Sequence, residues 1–153
     1  MKKHMRLLVL VIVAGVIALA YLLAAEEKEL PETLAQMFEG VLTRENTQVL
    51  DCELPISRDP SDFWCIAVDG VSAERLASST SMPHYRPSDN EYAALVERYI
   101  EAYLHSFDGM KDMLSAAQAE EAVLFVQEEQ HGNFKVVLFD EGERILYYTW
   151  ITY

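Results

Sequence analysis

Apolar and polar positions alternate with three different rhythms along this chain. Leu7 to Ala25 is a run of nineteen residues without a charge, preceded by Lys2, Lys3 and Arg6 and followed at once by Glu26, Glu27 and Glu29. As a helix it would rise roughly 28 Å, about the depth of a bilayer's hydrocarbon core. Its basic flank predicts a cytoplasmic start and a domain facing outward.

Beyond it the rhythm is helical. Leu34, Met37, Phe38, Val41 and Leu42 predict an amphipathic helix over 31–45, with Pro31 in the first turn, where proline is tolerated. Thr47–Leu54 and Phe63–Asp69 read as short strands around a polar loop holding Pro55 and Pro60, and Asp69-Gly70 marks a turn. A short helix over 72–79 precedes a loop over 79–87 that contains Pro83 and Pro87. Ser88 and Glu91 have capping-box spacing, and Tyr92, Leu95, Val96, Tyr99, Ile100, Tyr103 and Phe107 then fall on one helical stripe. Asp108-Gly109 stops that helix, and a shorter one is predicted over 110–119.

The last third is extended. Ala122–Glu128, Phe134–Phe139 and Arg144–Tyr153 are rich in branched and aromatic residues and are joined by short glycine-containing connections, which predicts an antiparallel meander. The expected class is α+β: an N-terminal transmembrane or signal helix (1–25), then one domain (26–153) of helices packed on one face of a small antiparallel sheet, with a disulfide-clipped hairpin. The final strand is apolar on both faces, Ile145, Tyr147, Ile151 and Tyr153 against Leu146, Tyr148 and Trp150. Either it is central, with helices over one face and the cysteine hairpin over the other, or Tyr148 and Trp150 are presented to a partner. The tyrosine column of the long helix poses the same choice between core and interface.

Charge narrows the partners. Residues 26–153 carry nine basic and twenty-five acidic side chains, a net of −16. Such a domain repels nucleic acid and anionic lipid and draws in cationic proteins. Fifteen of the sixteen aromatics lie in this part, too apolar a composition for a disordered chain. The N-terminal run predicts either a single-pass anchor in a bacterial inner membrane or a signal cut near Ala18-Leu19-Ala20 or Leu23-Ala24-Ala25, leaving a periplasmic or secreted domain. No cysteine closes the run, so nothing points to a lipoprotein.

Cys52 and Cys65 both lie in the exported part, where two thiols most simply pair; closing a loop of that length is worth on the order of 3 kcal/mol in the chain-entropy model. Two free thiols are the next reading, and metal or redox chemistry lacks C-x-x-C or zinc spacing.

No catalytic motif, phosphate loop or metal signature is present, so no cofactor and no metal is expected. The 82–87 stretch gathers His84, Tyr85 and Arg86 between two prolines, a stiff loop suited either to recognition or to carrying a surface linker. The candidate partner-binding residues are therefore His84, Tyr85, Arg86, Tyr148 and Trp150. The expected function is a non-enzymatic envelope module binding another, cationic protein, as an immunity-type inhibitor or as an anchored accessory subunit. The alternatives are a small envelope hydrolase using carboxylates and His84, or an anchor helix that pairs through Ala14, Gly15 and Ala18.

Overall fold

The computed structural model describes residues 28–54 and 61–152. The N-terminal run and the loop holding Pro55 and Pro60 lie outside these residues, as does Tyr153. Among the described residues no helix is long and apolar enough to cross a membrane.

In chain order the elements are helix α1 (Glu32–Met37), strands β1 (Thr47–Glu53) and β2 (Asp62–Val68), helix α2 (Ala73–Ser79), strand β3 (His84–Tyr85), helices α3 (Tyr92–Tyr99) and α4 (Met110–Ala116), and strands β4 (Ala122–Glu128), β5 (Phe134–Asp140) and β6 (Ile145–Ile151). Short 3₁₀ turns at Glu101–Tyr103 and Gln130–Gly132 interrupt the connections. The strands form one antiparallel sheet in the order β1-β2-β6-β5-β4-β3.

The meander is thus embedded in a wider sheet, and both of its faces are covered. Successive strand side chains alternate between faces, and this parity sorts the apolar residues into two cores. Val123, Phe125, Val137, Phe139, Leu146 and Tyr148 pack with Leu34, Phe38 and Leu42 from α1 and the turns after it, and with Leu76 of α2. Leu124, Phe134, Val136, Leu138 and Tyr147 pack with Tyr92, Tyr99, Ile100, Met110 and Met113 from α3, α4 and the link between them. Helices therefore lie on both faces, not on one. The reason is in the strands themselves: β4, β5 and β6 are apolar at nearly every position, and each fully buried large side chain is worth about 1.5–3 kcal/mol only if its own face is covered. The edge-to-face pair Phe38–Phe125, 5.2 Å between centroids, ties α1 to the middle of the first core.

Local departures have local causes. The first helix is regular only to Met37, after which Leu42 N donates to Phe38 O, so Leu34, Phe38 and Leu42 stay on one buried line. The Ser88/Glu91 capping box does not form. Asp89 orders the turn instead, its Oδ2 accepting from Arg86 N at 2.7 Å and its carbonyl from Tyr92 N at 3.1 Å. The long helix ends at Tyr99, where fully buried Ile100 leaves helical geometry (φ −114°, ψ −58°). The expected loop over 79–87 contains strand β3, whose flanking prolines are compatible with a sheet edge because proline cannot donate to a ladder.

The predicted disulfide is absent: Cys52 and Cys65 are free thiols. The register of β1 against β2 shifts by one residue between Val49 and Asp51, with Leu50 left over as a bulge. Cys52 then stands opposite Trp64, while Cys65 stands opposite Asp51. Directly opposed residues share a face, so the two thiols point to opposite sides of the sheet. Cys65 packs against the second core, whereas Trp64 borders the first.

Candidate functional site

One end of the sheet gathers most of the unusual chemistry. The registers Glu53 with Phe63, Asp62 with Trp150, Phe134 with Ile151 and Glu128 with Phe134 set Leu54, Asp62, Trp150, Phe134 and Glu128 along this end.

On the α3 side it opens into a cleft of about 470 Å³ lined by Arg98, Tyr99, Tyr103, Glu128, Glu129 and Phe134, among others. Its floor is aromatic. The rings of Tyr99 and Tyr103 meet Phe134 edge-on, with centroids 4.9 and 5.1 Å away. The rim is charged: the Tyr99 hydroxyl donates to Glu128 Oε1, and Arg98 Nη2 lies 3.3 Å from the same oxygen. The Arg98 guanidinium also sits over the Tyr99 ring, 5.2 Å from its centroid. Burial, reinforced by the hydrogen bond to Glu128, pushes the Tyr99 phenol up to about 12. It therefore remains a donor throughout the neutral range and holds the carboxylate in place.

On the opposite face, Trp64 Nε1 donates to Asp62 Oδ2 at 3.0 Å, while from the α3 side Thr149 Oγ1 donates to the Asp62 carbonyl at 2.8 Å. Lys135 Nζ pairs with Glu129 Oε1 at 2.5 Å and lies 5.4 Å from the centre of the Trp150 ring. Both side chains of that pair are largely covered, at 15% and 26% exposed. Asp62 Oδ1, Trp150 Nε1 and Thr152 Oγ1 are buried without a hydrogen-bond partner among the described residues. Burial pushes the Asp62 carboxyl above its ordinary value, against the lowering effect of the Trp64 indole.

The outer edge of β1 is unpaired among the described residues. It carries Leu50 and, just past the strand, Leu54, the large apolar side chains that remain 52% and 59% exposed. A cleft of about 440 Å³, lined by Lys28, Glu29, Leu30, Arg44 and Val49 among others, lies beside the first half of the strand.

The residues singled out from the sequence are not brought together. His84, Tyr85 and Arg86 lie at β3, the far edge of the sheet, while Tyr148 and Trp150 are on β6 near its middle. His84 is exposed with its ring 5.8 Å from that of Phe125, Tyr85 is half-buried against the second core, and Arg86 pairs with Glu74 at 2.8 Å. Tyr148 is 1% exposed and belongs to the first core; Trp150 is half-buried at its border. The two-faced apolarity of the last strand thus reflects a strand covered on both sides, and Tyr92 and Tyr99 of the tyrosine column are likewise core. Sequence reasoning missed Arg98, Glu128, Asp62, Leu50 and Leu54. Arg98 and Glu128 belong to elements distant in the chain, and only the fold sets one beside the other.

Among the described residues no group of three His, Cys, Asp or Glu side chains is placed to hold a metal ion. Compared with known protein families, curated proteins and solved structures, the chain shows no match.

Proposed function

We propose that the chain is a non-enzymatic cell-envelope module that binds another protein, held at the membrane by residues 7–25 or released after cleavage of that segment. The observation that carries this reading is the outer edge of β1, which no strand pairs among the described residues, with Leu50 and Leu54 exposed on it. An open edge offers main-chain hydrogen bonds to an extended partner segment, and apolar side chains beside it supply area to bury. Isolated exposed leucines are ordinary on protein surfaces; two flanking one free strand edge make a partner strand the better account. The net charge of −16 over residues 26–153 favours a cationic partner and speeds the encounter. The rival reading, a small hydrolase acting through carboxylates and His84, draws no support from the ring contact His84 makes, which is with Phe125.

A photo-crosslinking residue placed at Leu50 or Leu54 of the full chain, in intact envelopes, is expected to give one discrete adduct. A residue placed at exposed Glu39 is expected to give none. If neither edge position, nor His84, forms an adduct, the reading fails.

A further inference from the structure

The cleft beside α3 already contains a bound cation, and that cation is part of the chain. Arg98 lies over the Tyr99 ring and against Glu128 Oε1 while 68% of its side chain remains exposed. An electron-rich ring face and a carboxylate at its rim are the two components of a guanidinium receptor: the ring attracts the cation and the carboxylate accepts from its planar fork. Here both are held in place before any partner arrives. Tyr99 is buried and packed edge-on against Phe134, its hydroxyl is committed to Glu128, and Glu128 ends strand β4. The second carboxylate oxygen, Oε2, makes no hydrogen bond among the described residues. Arg98 is the exposed component, a long side chain reaching in from α3.

We infer that the Tyr99–Glu128 corner is a receptor for an arginine side chain of the partner protein, and that Arg98 occupies it as an internal placeholder. The inference rests on the protein-binding reading above and extends it to a partner chemistry and a site. Glu128 and Leu54 stand at the same end of the sheet, roughly 20 Å apart at four strand spacings, a span one partner can cover. A displaced Arg98 remains in water, so exchange costs little more than the exposed contact it gives up. The incoming guanidinium gains the same ring and carboxylate, with its remaining donors free to reach Oε2.

The test uses the full chain in detergent and a fluorescent tetra-arginine peptide followed by anisotropy. Removing the placeholder with Arg98→Ala should tighten binding about two- to five-fold, the size of an exposed ion pair combined with a cation–π contact. Lys111→Ala, which deletes an exposed positive charge on α4, controls for net charge and should change binding by less than that. Glu128→Gln should weaken binding about five-fold or more, whereas Glu39→Gln, an equal charge change elsewhere, should not. Circular dichroism verifies that each variant is folded. If Arg98→Ala binds no tighter than Lys111→Ala, or if Glu39→Gln costs as much as Glu128→Gln, the corner is not a receptor and only diffuse charge attraction is left. A Leu54 crosslink that persists in that case would remove the corner while leaving the protein-binding reading standing.

Discussion

Glu53 and Gly109 are joined by a 2.7 Å hydrogen bond from the glycine amide to Glu53 Oε1, while Glu53 Oε2 accepts from Asp108 N at 2.9 Å. Both amides stand at the start of α4, where backbone donors have no partner within the helix. A carboxylate from the end of β1 thereby caps a helix in the second half of the chain. Glu53→Ala should cost about 1–2 kcal/mol, and Glu53→Gln, which keeps an acceptor but loses the charge, should cost less. Urea midpoints compared at constant slope would settle the order; an alanine variant as stable as the parent would show that the cap contributes nothing.

Gly109 is constrained for a second reason, which involves space and not φ. A Cβ there would come within 2.7 Å of Phe63 Cζ and closer still to Cε1, and Phe63 is buried. Gly109 is also the N-cap of α4, a position that favours glycine over alanine. Alanine there should destabilise by about 1–3 kcal/mol, the range for overpacking a core. Pairing Gly109→Ala with Phe63→Leu should recover part of the loss. A single variant with an unchanged melting temperature would mean that Phe63 moves aside without cost.

The thiols give a chemical readout of the β1 register. Intact-mass measurement of protein purified without reductant should show no two-dalton loss, and alkylation after unfolding should add two groups. Under native conditions Cys52 should react first. The Cys65 thiol is pushed up by burial, and further by the carboxylates of Asp51 and Asp112, so less of it is thiolate at a given pH. A Cys52–Cys65 crosslink would contradict the bulge at Leu50, and equal rates would contradict the burial of the Cys65 thiol.

These cases show what the sequence could and could not carry. The three strands of the meander and both strands of the hairpin were legible, because branched and aromatic runs between glycine- or proline-containing turns admit few other structures. Leu34, Phe38 and Leu42 were legible as one face because helical spacing survives even where the helix loosens into turns. The bulge was not: a single leftover residue, Leu50, leaves composition and periodicity intact while reversing the face of everything after it. Coverage of both faces was visible in β6 alone, whose two apolar faces called for it, but nothing local assigned the helices to sides. The Arg98–Glu128 pairing spans two elements, and residues thirty apart on solvated surfaces carry no signal until the fold sets them together.

Alkaline pH should unfold the domain through its tyrosines. Burial pushes Tyr92, Tyr99 and Tyr147 up to about 12 and Tyr148 higher still. Each is neutral while protonated, and the folded state holds that proton more tightly than the unfolded chain does, near 10. The stability they contribute is therefore complete below pH 10 and is lost as pH rises from 10 through 12. Far-UV circular dichroism at rising pH should show the loss beginning near pH 10, and Tyr148→Phe should flatten it. A transition that starts well below pH 9 would have to come from other groups.

Asp62 acts in the opposite direction on the acid side. Burial raises its carboxyl above 3.8 despite the bond from Trp64, so the folded state prefers the protonated form and the ionised form is a liability at neutral pH. As pH falls through the raised value the carboxyl takes up its proton and the liability disappears, while below 3.8 the unfolded chain is protonated too. Asp62→Asn keeps an acceptor for the Trp64 indole and removes the charge. It should raise the melting temperature at pH 7, and the gain should shrink on acidification and vanish below about pH 3.8. A gain that persists unchanged at pH 3 would trace to packing and not to charge. A loss at pH 7 would mean that the ionised carboxylate is stabilised at this end of the sheet, beside Trp64 and Trp150.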